Sequence, residues 1–127
     1  MKTLLHLFFA MVALACTSCT TADNYARANQ KKFVALGDLA SSAVDCRALQ
    51  ETVLADGRLQ VRANLFNRTS QRIQVQVNCV FKDEQGFSTG DETPFQALFL
   101  DENAQETVTF TSLNKAKDYT VRVRLQR

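Results

Sequence analysis

The sequence predicts an all-β protein, and two observations carry that prediction. The first is alternation. Leu59, Val61, Ala63 and Leu65 alternate with Gln60, Arg62 and Asn64, and Ile73, Val75, Val77, Cys79 and Phe81 alternate with Gln74, Gln76, Asn78, Val80 and Lys82. Successive side chains of a strand point to opposite faces, so a period of two sets one apolar row against a core and one polar row toward water. The second is punctuation. From Val44 onward the alternating segments are short and are separated by clusters of Asp, Asn, Ser, Thr and Gly, residues that favour turns by local hydrogen bonding or by tolerating positive φ.

Taken in order, residues 17–30 are small, polar and mixed in charge, and read as a tether. Residues 23–36 leave two readings open: a short amphipathic helix with Tyr25, Phe33 and Leu36 on one side, or a short strand at residues 33–36. A strand is expected near residues 44–49. The alternating segments around Leu59 and Ile73 are two further strands, antiparallel and joined by Asn67-Arg68-Thr69-Ser70-Gln71. Asp83-Glu84-Gln85-Gly86 is a turn by its chemistry, and Gly90-Asp91-Glu92-Thr93-Pro94 marks a loop. A strand at residues 95–100, a turn at Asp101-Glu102-Asn103-Ala104 and a strand at residues 106–111 follow. Tyr119, Val121, Val123 and Leu125 form the inward row of the last strand.

Six to seven short strands in about 85 residues predict an immunoglobulin-like antiparallel β-sandwich, with a small open barrel as the second architecture. In this register Cys79 points inward with Val77 and Phe81, where Cys46 on a neighbouring strand would meet it.

The N-terminus carries a different signal. Lys2, an apolar run over residues 4–15 and the cluster Ala13-Leu14-Ala15-Cys16-Thr17-Ser18-Cys19 have the layout of a secretory signal. A helix that crosses a bilayer needs about 20 predominantly apolar residues, more than this run supplies. A cysteine at the cleavage point resembles the lipobox of bacterial lipoproteins. Cys16, preceded by Ala, Leu and Ala, is the expected lipidation residue, and Cys19 is the alternative. A plain secretory signal cleaved after Ala15 is the competing reading. Thr17 or Thr20, rather than Asp, follows the cysteine, which by the habit of that class implies a periplasmic protein anchored to the outer membrane. The expected organisation is a signal peptide at residues 1–15, lipidated cysteine and tether at 16–43, and sandwich at 44–127.

Composition excludes several functions. The only histidine of the 127 residues is His6, inside the segment that processing would remove. The remainder offers no Ser-His-Asp or Cys-His pair and no HExxH site. None of the four glycines, Gly37, Gly57, Gly86 and Gly90, lies in a phosphate-cradling pattern. The formal charge is +2, and loss of Lys2 lowers it further, so no strong field recruits nucleic acid. No cofactor and no metal site is expected. Cys46 and Cys79 would meet an oxidising compartment after export, where a disulfide between them would contribute about 3–4 kcal/mol by the chain-entropy account. Inert buried thiols are the alternative, and they lack the CxxC spacing of a redox pair.

The functional reading is a non-catalytic, lipid-anchored module that binds another envelope component. Phe66, Phe87 and Phe99 are candidate outward aromatics, and sheet edges or end loops are the usual recognition surfaces of a sandwich. Carbohydrate or small-ligand binding is the alternative. A carboxylate-based hydrolase would need two acids about 5–10 Å apart across a cleft. The pairs available are Asp83 with Glu84, Asp91 with Glu92, and Asp101 with Glu102, all expected at turns. Asn67 heads a glycosylation sequon but reads as a turn residue.

Leu65-Phe66-Asn67-Arg68-Thr69, residues 75–81, Asp83-Glu84-Gln85-Gly86, Thr93-Pro94-Phe95 and Ala116-Lys117-Asp118-Tyr119-Thr120-Val121-Arg122-Val123 together resemble the YcfL family of small periplasmic lipoproteins of bacteria. Phe81 and Phe95 stand where tryptophans are common in that family. The resemblance covers residues 44–127 and implies a fold and an address; no functional residue comes with it.

Overall fold

The computed structural model describes residues 32–126. The fold is an all-β sandwich of eight strands in two sheets. In chain order these are β1 (Phe33–Ala35), helix α1 (Asp38–Ala43), β2 (Val44–Val53), β3 (Leu59–Asn67), β4 (Ile73–Lys82), β5 (Ser88–Glu92), β6 (Gln96–Leu100), β7 (Gln105–Thr111) and β8 (Asp118–Leu125). One sheet runs β1-β8-β4-β5, with β6 also paired to β4; the other runs β2-β3-β7. Among the described strands only β1 pairs in parallel, with Phe33 opposite Val121.

The alternation does what the sequence implies. On β3, Leu59, Val61, Ala63 and Leu65 are buried, and on β4, Val75, Val77, Cys79 and Phe81 have no exposed surface. Val121 and Val123 of β8 and Val108 and Phe110 of β7 complete the core. Fully burying each such side chain contributes about 1.5–3 kcal/mol, so the two inner faces are the main source of stability. Cys79 lies inward beside Val77 and Phe81 as expected.

Three features differ from what the sequence predicts, and one choice that it leaves open, the second below, is decided. First, β5 forms where a loop is expected. Its sequence, STGDE, has no apolar row, and it is a strand because the tight turn after β4 returns the chain along that strand, with Ser88 opposite Lys82 and Glu92 opposite Val80. Asp83 makes the turn: its Oδ1 accepts from the amides of Gln85 and Gln85's neighbour-but-one Phe87, each at 2.9 Å, and Gly86 sits at φ 86°. Second, of the two readings for the N-terminal stretch, the strand stands at Phe33–Ala35; residues 23–31 lie outside the described residues.

Third, β3 and β4 belong to opposite sheets, so residues 67–71 turn a corner across the core. Each strand has an apolar face too large to leave uncovered, and facing the other across the core covers both. Asn67 holds the corner. Its Nδ2 donates to the carbonyls of Gln71 (2.8 Å), Leu100 (3.1 Å) and Asp101 (3.0 Å), while Oδ1 accepts from the Thr69 amide and hydroxyl. Fourth, the expected disulfide is not formed: Cys46 and Cys79 are free thiols. Cys46 sits at a register shift of β2 and turns its Sγ toward the carbonyl of Ala48 on its own strand, at 3.5 Å, whereas Cys79 packs among the apolar side chains of β4.

The strands run between two ends of the sandwich. One end carries α1, the corner at 67–72 and the turn at 101–104. The other carries the β2–β3 turn, the β4–β5 turn, the β7–β8 loop and Lys32, where the preceding chain joins the fold.

Candidate functional site

Outward positions of the five-stranded sheet follow from the same alternation. On β8 they are Thr120, Arg122 and Arg124; on β4, Gln74, Gln76, Asn78 and Val80. Pairing sets Arg122 beside Asn78 and Arg124 beside Gln76, and β6 sets Ala97 beside Gln76 and Phe99 beside Gln74. Phe95, just before β6, follows next along that edge.

These side chains form one connected network. Arg122 Nε donates to Asn78 Oδ1 at 3.0 Å and the guanidinium pairs with Glu92. Asn78 Nδ2 donates to Glu92 Oε1 at 2.9 Å and to the Thr93 carbonyl at 3.2 Å. Asn78 is fully buried beneath this arrangement although it is on the outer face. Arg124 Nε donates to Gln76 Oε1 at 2.7 Å, and its guanidinium lies 3.9 Å from the Phe95 ring centroid, with that of Arg122 at 5.6 Å. Farther along, Arg72 lies 4.7 Å from the Phe99 ring and pairs with Asp101 at 3.2 Å.

Exposed ion pairs contribute about 0–1 kcal/mol each, so the network adds little stability for its size. Its effect is positional. A guanidinium held over a ring has reduced side-chain freedom, and the N–H donors it does not use within the face suit carboxylate or carbonyl groups.

The aromatics expected from sequence fall in three places. Phe99 is 52% exposed on this face. Phe87 is 70% exposed on the β4–β5 turn, at one end of the molecule. Phe66 is half-buried on the opposite sheet, with Arg47 4.1 Å above its ring. Phe95 was no candidate in sequence, since its partners on β8 are distant in the chain. The signal that bears on it is the outward pair Arg122 and Arg124, which alternation alone places on one face.

The carboxylate pairs do not converge. Asp91 is buried and accepts from the Leu113 amide at 2.5 Å, whereas its neighbour Glu92 faces outward to Arg122. Asp83 is taken up by its own turn, and Asp101 by Arg72. Among the described residues no group of three or more His, Cys, Asp and Glu side chains is arranged to hold a metal ion. Burial pushes the Cys46 thiol up to about 11 and the Cys79 thiol up to about 12, so neither is a thiolate nucleophile near neutral pH. A hollow of about 280 Å³ beside α1 is lined by Leu36, Gly37, Asp38, Leu39, Ala40 and Leu125 and presents one ionisable group. Cys16 and Cys19 lie outside the described residues.

No family model matches the chain, and no curated protein matches it. Two solved bacterial structures are similar in fold. One is Campylobacter jejuni cj0090, with 16% identity and a TM-score of 0.61 over 75% of this chain and 98% of that one. The other is a DUF1425 family member from Shewanella sp. pv-4, with 26% identity and a TM-score of 0.58 over 64% of this chain and 76% of that one. The chain thus shares its sandwich with bacterial proteins that include a DUF1425 member, a likeness compatible with the YcfL-like pattern read from its sequence.

Proposed function

We propose that this chain is a non-catalytic, lipid-anchored protein of the bacterial cell envelope, related to the YcfL family, that binds another envelope component through the outer face of its five-stranded sheet. The observation that carries the binding face is a row of three arginines along it: Arg72, just before β4, over Phe99, Arg124 over Phe95, and Arg122 held by Asn78 and Glu92. Arginine and aromatic side chains dominate the energetically important centres of protein interfaces. The anchor reading rests on the apolar run before Cys16 and Cys19, and the outer-membrane address on Thr17 or Thr20 after the cysteine.

A protein partner is favoured over a carbohydrate. A sugar would need an open ring face for stacking, and at Phe95 and Phe99 a guanidinium already covers one face.

Crosslinking in the native host, with mass spectrometry of captured chains, tests the proposal. A specific envelope protein is expected with the native chain. It is expected to be lost in the Cys16→Ser/Cys19→Ser variant, which removes the anchor, and in the Phe95→Ala/Arg124→Glu variant, which dismantles the face. Capture that is indifferent to both changes would contradict the proposal.

A further inference from the structure

We infer that the end of the sandwich where the chain joins the fold is a phospholipid-contacting surface, an inference that rests on the lipid-anchor reading for its setting. Three of the most exposed large apolar side chains lie at that end: Val53, the last residue of β2, at 69%, Phe87 on the β4–β5 turn at 70% and Leu113 on the β7–β8 loop at 84% exposure. Scattered singly, such residues are ordinary; together at one end they mark an interaction surface.

Hydrogen bonds tie the β7–β8 loop to the strand ends on either side of it, the start of β3 and the end of β4. The Ser112 amide donates to the Leu59 carbonyl at 2.8 Å, and Ser112 Oγ accepts from the Leu59 amide at 2.8 Å, joining the β7–β8 loop to the β2–β3 turn. The Lys117 amide donates to the Lys82 carbonyl at 3.0 Å, joining the same loop to the end of β4. Lys115 lies against Gly57, where an added Cβ would come within 3.0 Å of its side chain. The apolar groups therefore sit on a braced platform.

The charges around them suit a bilayer. Most at this end are already matched: Lys32 pairs with Glu51 and Asp118, Arg58 pairs with Asp56, and Asp83 caps its own turn. Lys82, Lys115 and Lys117 have no ion-pair partner among the described residues, and neither do the two acids of the β4–β5 turn, Asp83 and Glu84, which leaves the lysines in excess by one. Free lysines beside exposed apolar side chains match the boundary between phosphate headgroups and acyl chains.

Chain geometry selects the lipid over other occupants. Lys32 is fixed to the start of β8, 3.7 Å from Asp118 and 4.8 Å from the Tyr119 ring centroid, so residues 1–31 reach the fold at this rim. If Cys16 carries the lipid, residues 17–31 span at most about 50 Å. The rim is then the part of the domain held toward the membrane, where tethering makes a weak contact effectively intramolecular. The opposite end, which exposes Leu39 on α1, is the one remote from the tether.

The chain contains no tryptophan, so single Phe87→Trp, Leu113→Trp and Leu39→Trp variants are unique reporters at exposed sites. The full lipidated protein is reconstituted in phosphatidylethanolamine and phosphatidylglycerol vesicles whose acyl chains are brominated near the glycerol. Emission from the Phe87→Trp and Leu113→Trp variants is expected to fall about twofold, as for side chains within the headgroup and acyl boundary, with the Leu39→Trp variant unchanged. Equal emission from all three in protein that floats with the vesicles overturns the inference and leaves the anchor standing. If the native chain carries no lipid and does not float, the anchor reading fails instead; quenching on simple mixing with the same vesicles then supports the rim by itself, and its absence overturns it.

Discussion

Arg124 lies with its guanidinium 3.9 Å from the centroid of the Phe95 ring while its Nε donates to Gln76 at 2.7 Å. A residue of the last strand is thereby held by the strand beside it and by the loop leading into β6. Phe95 is partly buried, so Phe95→Ala loses part of the burial of its ring as well as a cation–π contact, and should lower unfolding free energy by about 2 kcal/mol in urea denaturation. Its effect on partner capture should be far larger than that loss explains.

Asn67 should be among the most sensitive polar positions. Its side chain is fully buried and serves three carbonyls and Thr69 at once. Truncation strands those groups away from water, at about 1–3 kcal/mol for each one left unsatisfied. Asn67→Ala should therefore destabilise by about 3 kcal/mol or more, read from the urea midpoint at constant slope.

Thr120 behaves oppositely. Its hydroxyl is buried on β8 and has no hydrogen-bond partner among the described residues. Thr120→Val keeps the shape and removes the desolvated oxygen, so stability should rise by about 1 kcal/mol. A thermal midpoint below that of the native chain would show that the hydroxyl is satisfied in solution.

The two thiols set an alkaline limit. Burial is the main cause that raises Cys46 to about 11 and Cys79 to about 12 from an ordinary value of 9.0, and burial raises Tyr119 as well. Groups whose folded value is raised contribute stability that is complete below the unfolded value and lost as pH climbs toward the folded one. Unfolding free energy should hold steady to about pH 9 and fall between pH 9 and 12. Cys79→Ala should flatten part of that decline, and Cys79 should resist alkylation in the native state at neutral pH.

The strands with an apolar row were legible from sequence because burial and alternation are one fact seen twice: β3, β4 and β8 each present an inward row that the chain states outright. β5 was not legible, because STGDE has no such row and pairs only through the turn that Asp83 builds. Sheet membership of β3 and β4 was hidden for a related reason, since alternation gives a face but no partner. The same gap concealed the Arg–Phe face. Arg122 and Arg124 are outward by period, yet their closeness to Asn78, Glu92 and Phe95 depends on β8 lying beside β4, strands far apart in sequence.

Site-specific photocrosslinking in the native host shows whether the five-stranded sheet presents the binding face. A photoreactive residue placed at Phe99, which is exposed on that face, is compared with one at Thr109 on the outer face of the other sheet. A discrete adduct with one envelope protein is expected from position 99 and none from position 109. An adduct from position 109 alone, or the same adducts from both, would contradict it.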